Sequence, residues 1–89
     1  MEEETNRHLC PCCGKCWFES YNSLEICDVC YWQDDAVQNE DLDYMGGANP
    51  MSLNQAKTMY KMYGNTGTEL WEKNKDEIIA ETEKAAEGK

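Results

Sequence analysis

The chain has 89 residues, a net charge of −10, 40% hydrophobic residues, six cysteines and a single phenylalanine. That length suits one domain, and so thin a core rarely supplies more than about 3–5 kcal/mol, so a disulfide or metal staple is expected. The acidity argues against nucleic acid and anionic membranes, no apolar run approaches the roughly 18 residues that span a bilayer, and a basic protein is the easier electrostatic partner.

Residues 1–9 read as a flexible, charged lead-in. They show neither a basic n-region nor an apolar h-region, so a cytoplasmic location is expected rather than export. In a reducing compartment cysteine pairs read as metal ligands ahead of disulfides. Disulfides stay open as the alternative if a leader has been removed. His8, the one histidine, reads as a solvated residue of the lead-in; its alternatives are a replacement ligand or a base beside Cys12.

Residues 10–30 form a cysteine module. Cys10-Pro11-Cys12-Cys13-Gly14 and Cys27-Asp28-Val29-Cys30 each hold two thiols three positions apart. That spacing lets one turn aim both sulfurs at a single ion, and two such turns supply the tetrahedral shell of a structural zinc. Iron is the competing occupant of the same shell. The N-terminal thiols could also pair as Cys13 and Cys16. Gly14 favours Cys10 and Cys13, because the residue after the second cysteine of such a turn tends toward positive φ, which glycine adopts freely. The expected metal ligands are therefore Cys10, Cys13, Cys27 and Cys30, a closed shell with no open position. Cys12 is either a half-buried side chain or a reactive thiol. Between the pairs, residues 16–21 and 24–26 read as two short strands joined at Asn22-Ser23, which gives a zinc-ribbon-like β-hairpin.

Residues 31–50 show no convincing period. Gly46-Gly47-Ala48-Asn49-Pro50 is a strong loop signal, and the expectation is an ordered loop packing Trp32, Leu42, Tyr44 and Met45 onto the hairpin. Asp34, Asp35, Glu40, Asp41 and Asp43 pose a choice between a hard-cation site and carboxylates that accept loop N–H bonds; the latter is favoured. Ser52-Leu53-Asn54-Gln55 fits a capping box, Leu53, Ala56, Met59/Tyr60 and Tyr63 recur at helical spacing, and Gly64 is a natural C-cap. A second helix is expected over about 69–86, capped by Thr66 or Thr68. Its apolar residues Leu70, Trp71, Ile78 and Ile79 would dock on the domain or form a homodimer. The fold class expected is a small α+β metal-bound domain: hairpin, ordered loop and two C-terminal helices.

Several stretches together resemble the cysteine-rich CPCC family of small bacterial and phage proteins: Cys10-Pro11-Cys12-Cys13-Gly14, Glu25 to Asp35, Gln38, Gly46-Gly47-Ala48-Asn49, Ser52-Leu53, Ala56, Tyr60 and Gly64. Asp28 and Gln33 stand where the family pattern has proline and glutamate, and Cys16 lies outside the pattern. The resemblance covers about residues 10–64, which would be the zinc-binding domain, with 65–89 a helical extension. It implies zinc at the four cysteines. It also groups Trp32, Asp34, Asp35, Gly46, Gly47 and Asn49 as a shared segment, the candidate binding surface.

No Ser-His-Asp set, P-loop or dinucleotide fingerprint is present. The favoured function is a structural-zinc interaction module, an adaptor or inhibitor that binds another protein. The alternatives are a hydrolase using Asp34/Asp35 or Cys12, and a redox or metal-handling protein.

Overall fold

A computed structural model describes residues 7–20 and 23–87. The elements in chain order are β1 (His8–Leu9), β2 (Trp17–Phe18), α1 (Ala36–Glu40), α2 (Leu53–Tyr63) and α3 (Thr68–Glu87). The strands pair antiparallel, with His8 opposite Phe18 and Leu9 opposite Trp17. His8 and Leu9 therefore leave the lead-in role expected for them and become half of a hairpin.

The hairpin differs from the expected one. Within the first expected strand only Trp17–Phe18 pair, and their partner precedes the first cysteine pair. Cys10 N donates to Cys16 O at 2.8 Å, and Gly14 N to Cys10 O at 2.9 Å, so the cysteine turn is itself the hairpin loop. The second pair repeats the device. Cys27 N donates to Trp32 O and Tyr31 N to Cys27 O, both at 2.8 Å, and Ile26 bridges Gln33 across that turn. Each knuckle thus closes its own small ladder. The physical reason is local: a turn tight enough to converge two sulfurs also juxtaposes the residues flanking it, so they pair first. The turn expected at Asn22-Ser23 falls partly outside the described residues.

The segment expected to be a loop contains a short helix. Asp35 caps α1, its Oδ1 accepting from Val37 N at 2.9 Å, and its Oδ2 reaches across to accept from Ala48 N at 2.8 Å. Trp32 is fully buried as expected, but Leu42, Tyr44 and Met45 are exposed. The place foreseen for them is taken by a polar side chain, Gln38. Its Nε2 lies within 3.1 Å of the carbonyls of Tyr44, Asn49 and Met51. Its Oε1 accepts from both nitrogens of Asn49, at 3.0 and 2.9 Å. Asn49 in turn accepts from Gln33 N and donates to Gln33 O, both at 2.9 Å, imitating a neighbouring strand. The loop is thereby held against the second knuckle by side-chain amides, with the Asp35 carboxylate adding its bond to Ala48 N.

α2 matches its sequence signals closely. Ser52 Oγ accepts from Gln55 N and Gln55 Oε1 accepts from Ser52 N, completing the capping box. Gly64 sits at φ 88, and its N–H closes on Tyr60 O. Leu53, Ala56 and Met59 are buried on one face.

Thr66 caps no helix. Its N–H and hydroxyl both donate to Cys30 O, at 2.7 and 3.0 Å, strapping the α2–α3 connection to the second knuckle. α3 then runs along α2. Its ladder is interrupted at Asn74 (φ −123), whose side chain donates to Leu70 O at 3.1 Å in place of a helical N–H. Trp71 and Ile78 are buried in the same cluster as Cys10, Cys27, Cys30 and Trp32, with Leu70 and Ile79 packed against it. Thr82 Oγ1 meets Thr58 Oγ1 at 2.9 Å across the two helices. The apolar face that sequence left open to the domain or to a second copy is applied to the chain's own core. No helix of the described residues is long and apolar enough to cross a membrane.

Gly47 tests how tightly the amide-held loop is built. A Cβ there would stand 2.6 Å from Asp35 Oδ2 and 2.9 Å from Gln38 Cδ. Gly47→Ala is expected to destabilise the fold by about 1–3 kcal/mol through this overlap. The check is the urea midpoint, which should fall with little change in the slope of the transition.

Candidate metal centre

The two knuckles bring Cys10, Cys13, Cys27 and Cys30 together. One sulfur from each lies within 4.8 Å of all the others. Cys10 Sγ and Cys30 Sγ are 3.6 Å apart, and Cys13 Sγ and Cys27 Sγ 3.7 Å. A disulfide needs about 2.05 Å, and all six cysteines are free thiols. A metal–sulfur bond of about 2.3 Å in a tetrahedron sets sulfurs about 3.8 Å apart. The observed separations suit four thiolates around one ion.

The backbone prepares the sulfurs. Lys15 N donates to Cys13 Sγ, and Val29 N and Cys30 N donate to Cys27 Sγ, each at 3.4 Å. In the first knuckle the donor, Lys15 N, follows Gly14 at φ 70, and the residue after the second pair, Tyr31, has the same positive φ, 75. The second knuckle thus adopts, with tyrosine, the conformation that glycine gives the first.

Electrostatics show what the gathering of thiols demands. Burial works to raise Cys27, but the N–H groups of Cys30 and Val29 and the neighbouring thiols outweigh it and bring its pKa down to about 7. Cys10 is pushed well up by the proton it shares with Cys30 and by burial. Cys13 is raised, chiefly by burial. Cys30 is also raised; the Cys10 thiol favours its charged form, but Cys12 and burial prevail. Several thiolates at one buried point repel unless a cation stands among them, so ionising the set is coupled to binding an ion.

Two further thiols flank the set. Cys12 is half-buried and acts on Cys30. Cys16 is pushed up to about 12 by burial and by the neighbouring Cys27. His8 is also placed: its Nε2 lies 3.1 Å from Asp34 Oδ1, so it serves neither as a replacement ligand nor as a solvated lead-in residue.

The candidate binding surface does not survive as a surface. Trp32 and Asp34 are fully buried, Asn49 nearly so, and only Gly46 and Gly47 are open to solvent. Asp34 accepts from Ser23 N at 2.9 Å and Asn39 Nδ2 at 2.8 Å, and His8 Nε2 lies 3.1 Å from its Oδ1 as an ion-pair partner. Burial alone would raise its pKa; Asn39, Ser23 and His8 hold it below the ordinary 3.8. Asp35 is spent on the α1 cap and on Ala48. Among the described residues, Asp34, Asp35, Glu40, Asp41 and Asp43 form no shared ligand set. Asp34, Asp35, Asp41 and Asp43 work as acceptors of backbone and side-chain N–H groups. The hub of this region is Gln38, to which residue spacing gave no special role; its place in the family motif was the available signal.

A family model described as Cysteine-rich CPCC matches residues 8–81. The match starts at β1 and continues beyond Gly64 into α3, farther than the motifs read from sequence. No curated protein matches the chain.

Asp34→Asn replaces one acceptor oxygen with a donor that faces other donors. It is expected to destabilise the fold by about 2–3 kcal/mol, as the loss of charge-assisted hydrogen bonds in a buried site should. Leu42→Ala, on an exposed side chain, should stay within about 0.5 kcal/mol. Chemical denaturation of the two variants side by side checks both values.

Proposed function

The chain belongs to the cysteine-rich CPCC family, and from that premise we propose that it is a zinc-stabilised interaction module. Zinc held by Cys10, Cys13, Cys27 and Cys30 ties the knuckles to the helices, and the knuckle half of the molecule docks on another protein. A closed four-thiolate shell offers no open position for a substrate, which favours a structural ion. Zinc is preferred over iron because it needs no redox chemistry to be stable in such a shell.

The observation that carries the interaction reading is the distribution of exposed apolar side chains. Leu9, Trp17, Leu24, Ile26, Val29, Tyr31, Val37, Leu42, Tyr44 and Met45 are the large hydrophobic residues left open to water. All precede α2; the two long helices contribute none among the described residues. Apolar exposure concentrated on one part of a small protein marks an interaction site more often than chance exposure does. Tyr31 adds a second indication. It is 54% exposed and held at φ 75, a conformation that costs a residue with a Cβ about 1–2 kcal/mol. Strain kept at an exposed aromatic side chain is typical of a functional position. With a net charge of −10, the partner is expected to be basic around an apolar centre, and an adaptor or inhibitor role fits.

Tyr31→Gly separates stability from binding. Relief of the positive φ should leave the fold unchanged or stabilise it by up to about 1 kcal/mol, whereas truncating a packed aromatic costs about 3–5 kcal/mol. The same substitution, combined with Trp17→Ala, should abolish partner binding while the metal is kept. Native mass spectrometry of protein purified from its source reads metal and partner together. One zinc and a stoichiometric protein partner are expected for the unaltered chain; a metal-loaded monomer without partner would refute the interaction role. Cys27→Ser should lose the metal and the ordered knuckles together, since site formation and folding are coupled in so small a domain. A folded, metal-free Cys27→Ser protein would refute the structural role of the ion.

A further inference from the structure

We propose that Cys16, Cys27 and Asp28 form a second cation site, one that shares the Cys27 sulfur with the four-cysteine centre and takes a thiophilic divalent ion. The inference rests on reading Cys10, Cys13, Cys27 and Cys30 as metal ligands. One ligand atom from each of Cys16, Cys27 and Asp28 lies within 4.8 Å of the other two. The fold explains the meeting. Cys16 stands at the closing end of the first knuckle, where its carbonyl receives Cys10 N. Asp28 comes directly after the first ligand of the second knuckle. Bringing the knuckles together for one ion therefore sets these two side chains on either side of Cys27.

Neither new ligand is committed elsewhere. The Cys16 thiol makes a long contact, 3.9 Å to Trp17 O, and its other partners, the Cys27 thiol and the Asp28 backbone N–H, belong to the site itself. Asp28 is exposed, and its carboxylate has no hydrogen-bond partner among the described residues. A thiolate bound to one ion keeps lone pairs that can bind a second, so Cys27 can bridge. Two sulfurs and one carboxylate oxygen suit a borderline-soft ion such as zinc or cadmium. The charge balance is also favourable. The second ion brings two positive charges and the new Cys16 thiolate one negative, so filling the site gains one positive charge beside a centre that already carries excess negative charge. Three protein ligands leave a fourth position open, and the exposure of Asp28 gives it to water. The four-cysteine shell is closed and mostly buried, so it fills first, and the shared site fills second as a weaker, exchangeable one. Cys16 lies outside the motif on which the family resemblance rests, and Asp28 stands where the family pattern has proline, so the resemblance itself does not supply the second site.

The test titrates the full, metal-free chain with ¹¹³Cd²⁺, monitored by native mass spectrometry and ¹¹³Cd NMR. The unaltered protein should bind a second ion once the first is saturated, and the two resonances should split each other through the shared sulfur. Cys16→Ser should remove the second ion and leave the first. Asp28→Asn should weaken the second severalfold with the first unmoved, which keeps the test independent of any folding defect in the cysteine variant. Saturation of the unaltered chain at one ion would overturn the second site alone. So would a second ion that survives Cys16→Ser. A chain that takes up no ion at all would overturn the four-cysteine reading as well.

Discussion

The convergence of four sulfurs on one point is the constraint around which the rest of this structure is arranged. Cys10, Cys27 and Cys30 are themselves fully buried members of the core cluster. The strands, the second knuckle and the start of α3 are all tethered to them. β1 and β2 close the first knuckle, the Ile26–Gln33 bridge closes the second, and Thr66 holds the start of α3 to the Cys30 carbonyl. A chain whose described residues bury eleven apolar side chains, three of them cysteines, has little hydrophobic energy to spare. Packing alone would also leave four thiols sharing protons in a buried cluster, with Cys10 and Cys30 forced toward the neutral form. A cation at that point removes the repulsion and joins two segments distant in sequence, so the same event that satisfies the sulfurs closes the long loop between them.

A second device does by hydrogen bonding what the first does by coordination. Gln38 and Asn49 are side-chain amides buried where a larger protein would place leucines. A buried amide is costly when unpaired, and here donors and acceptors on both residues find partners. Such a network is strongly directional and accepts only one arrangement of the loop around Trp32. Asp34 plays the same part on the other side, collecting Ser23, Asn39 and His8. The acidic and glycine-rich stretches are thus internal joinery. Gly47 is required because Asp35 and Gln38 occupy the space a side chain would need.

How much of this was legible in the sequence varies with the range of the interactions involved. The capping box at Ser52 and the Gly64 cap are local chemistry, and α2 begins and ends where they say. The four cysteines were legible because their spacing fixes two turns independently of the rest. Strand pairing was not, since Trp17–Phe18 could pair with an upstream or a downstream segment, and only the closeness imposed by the knuckle decides. α1 escaped notice because five residues carry no readable period; its one signal was Asp35 as a cap. Tyr31 shows the limit of arguing from glycine. Gly14 correctly marks a positive φ in the first knuckle, yet the second knuckle takes the same turn without one. The candidate surface failed for a related reason. Asp and Asn in a loop look alike whether they face water or backbone N–H groups, and burial is a long-range property.

The strain at Tyr31 links the centre to the proposed function. A left-handed tyrosine persists only where surrounding structure over-determines it. Here its N–H is bound to Cys27 O, its neighbour Cys30 is fixed by the sulfur cluster, and its ring lies near Gly67. With an ion in place the knuckle backbone has no freedom to relax. Trp17, Val29 and Tyr31 would then be presented on a rigid frame, and the conformational entropy of ordering them is lost during folding instead of at the moment of binding. Preorganisation of that kind raises affinity without adding contact area. It also gives a reason for the split between the two halves of the molecule. The helices bury their apolar residues and supply stability, which leaves the knuckles free to expose theirs.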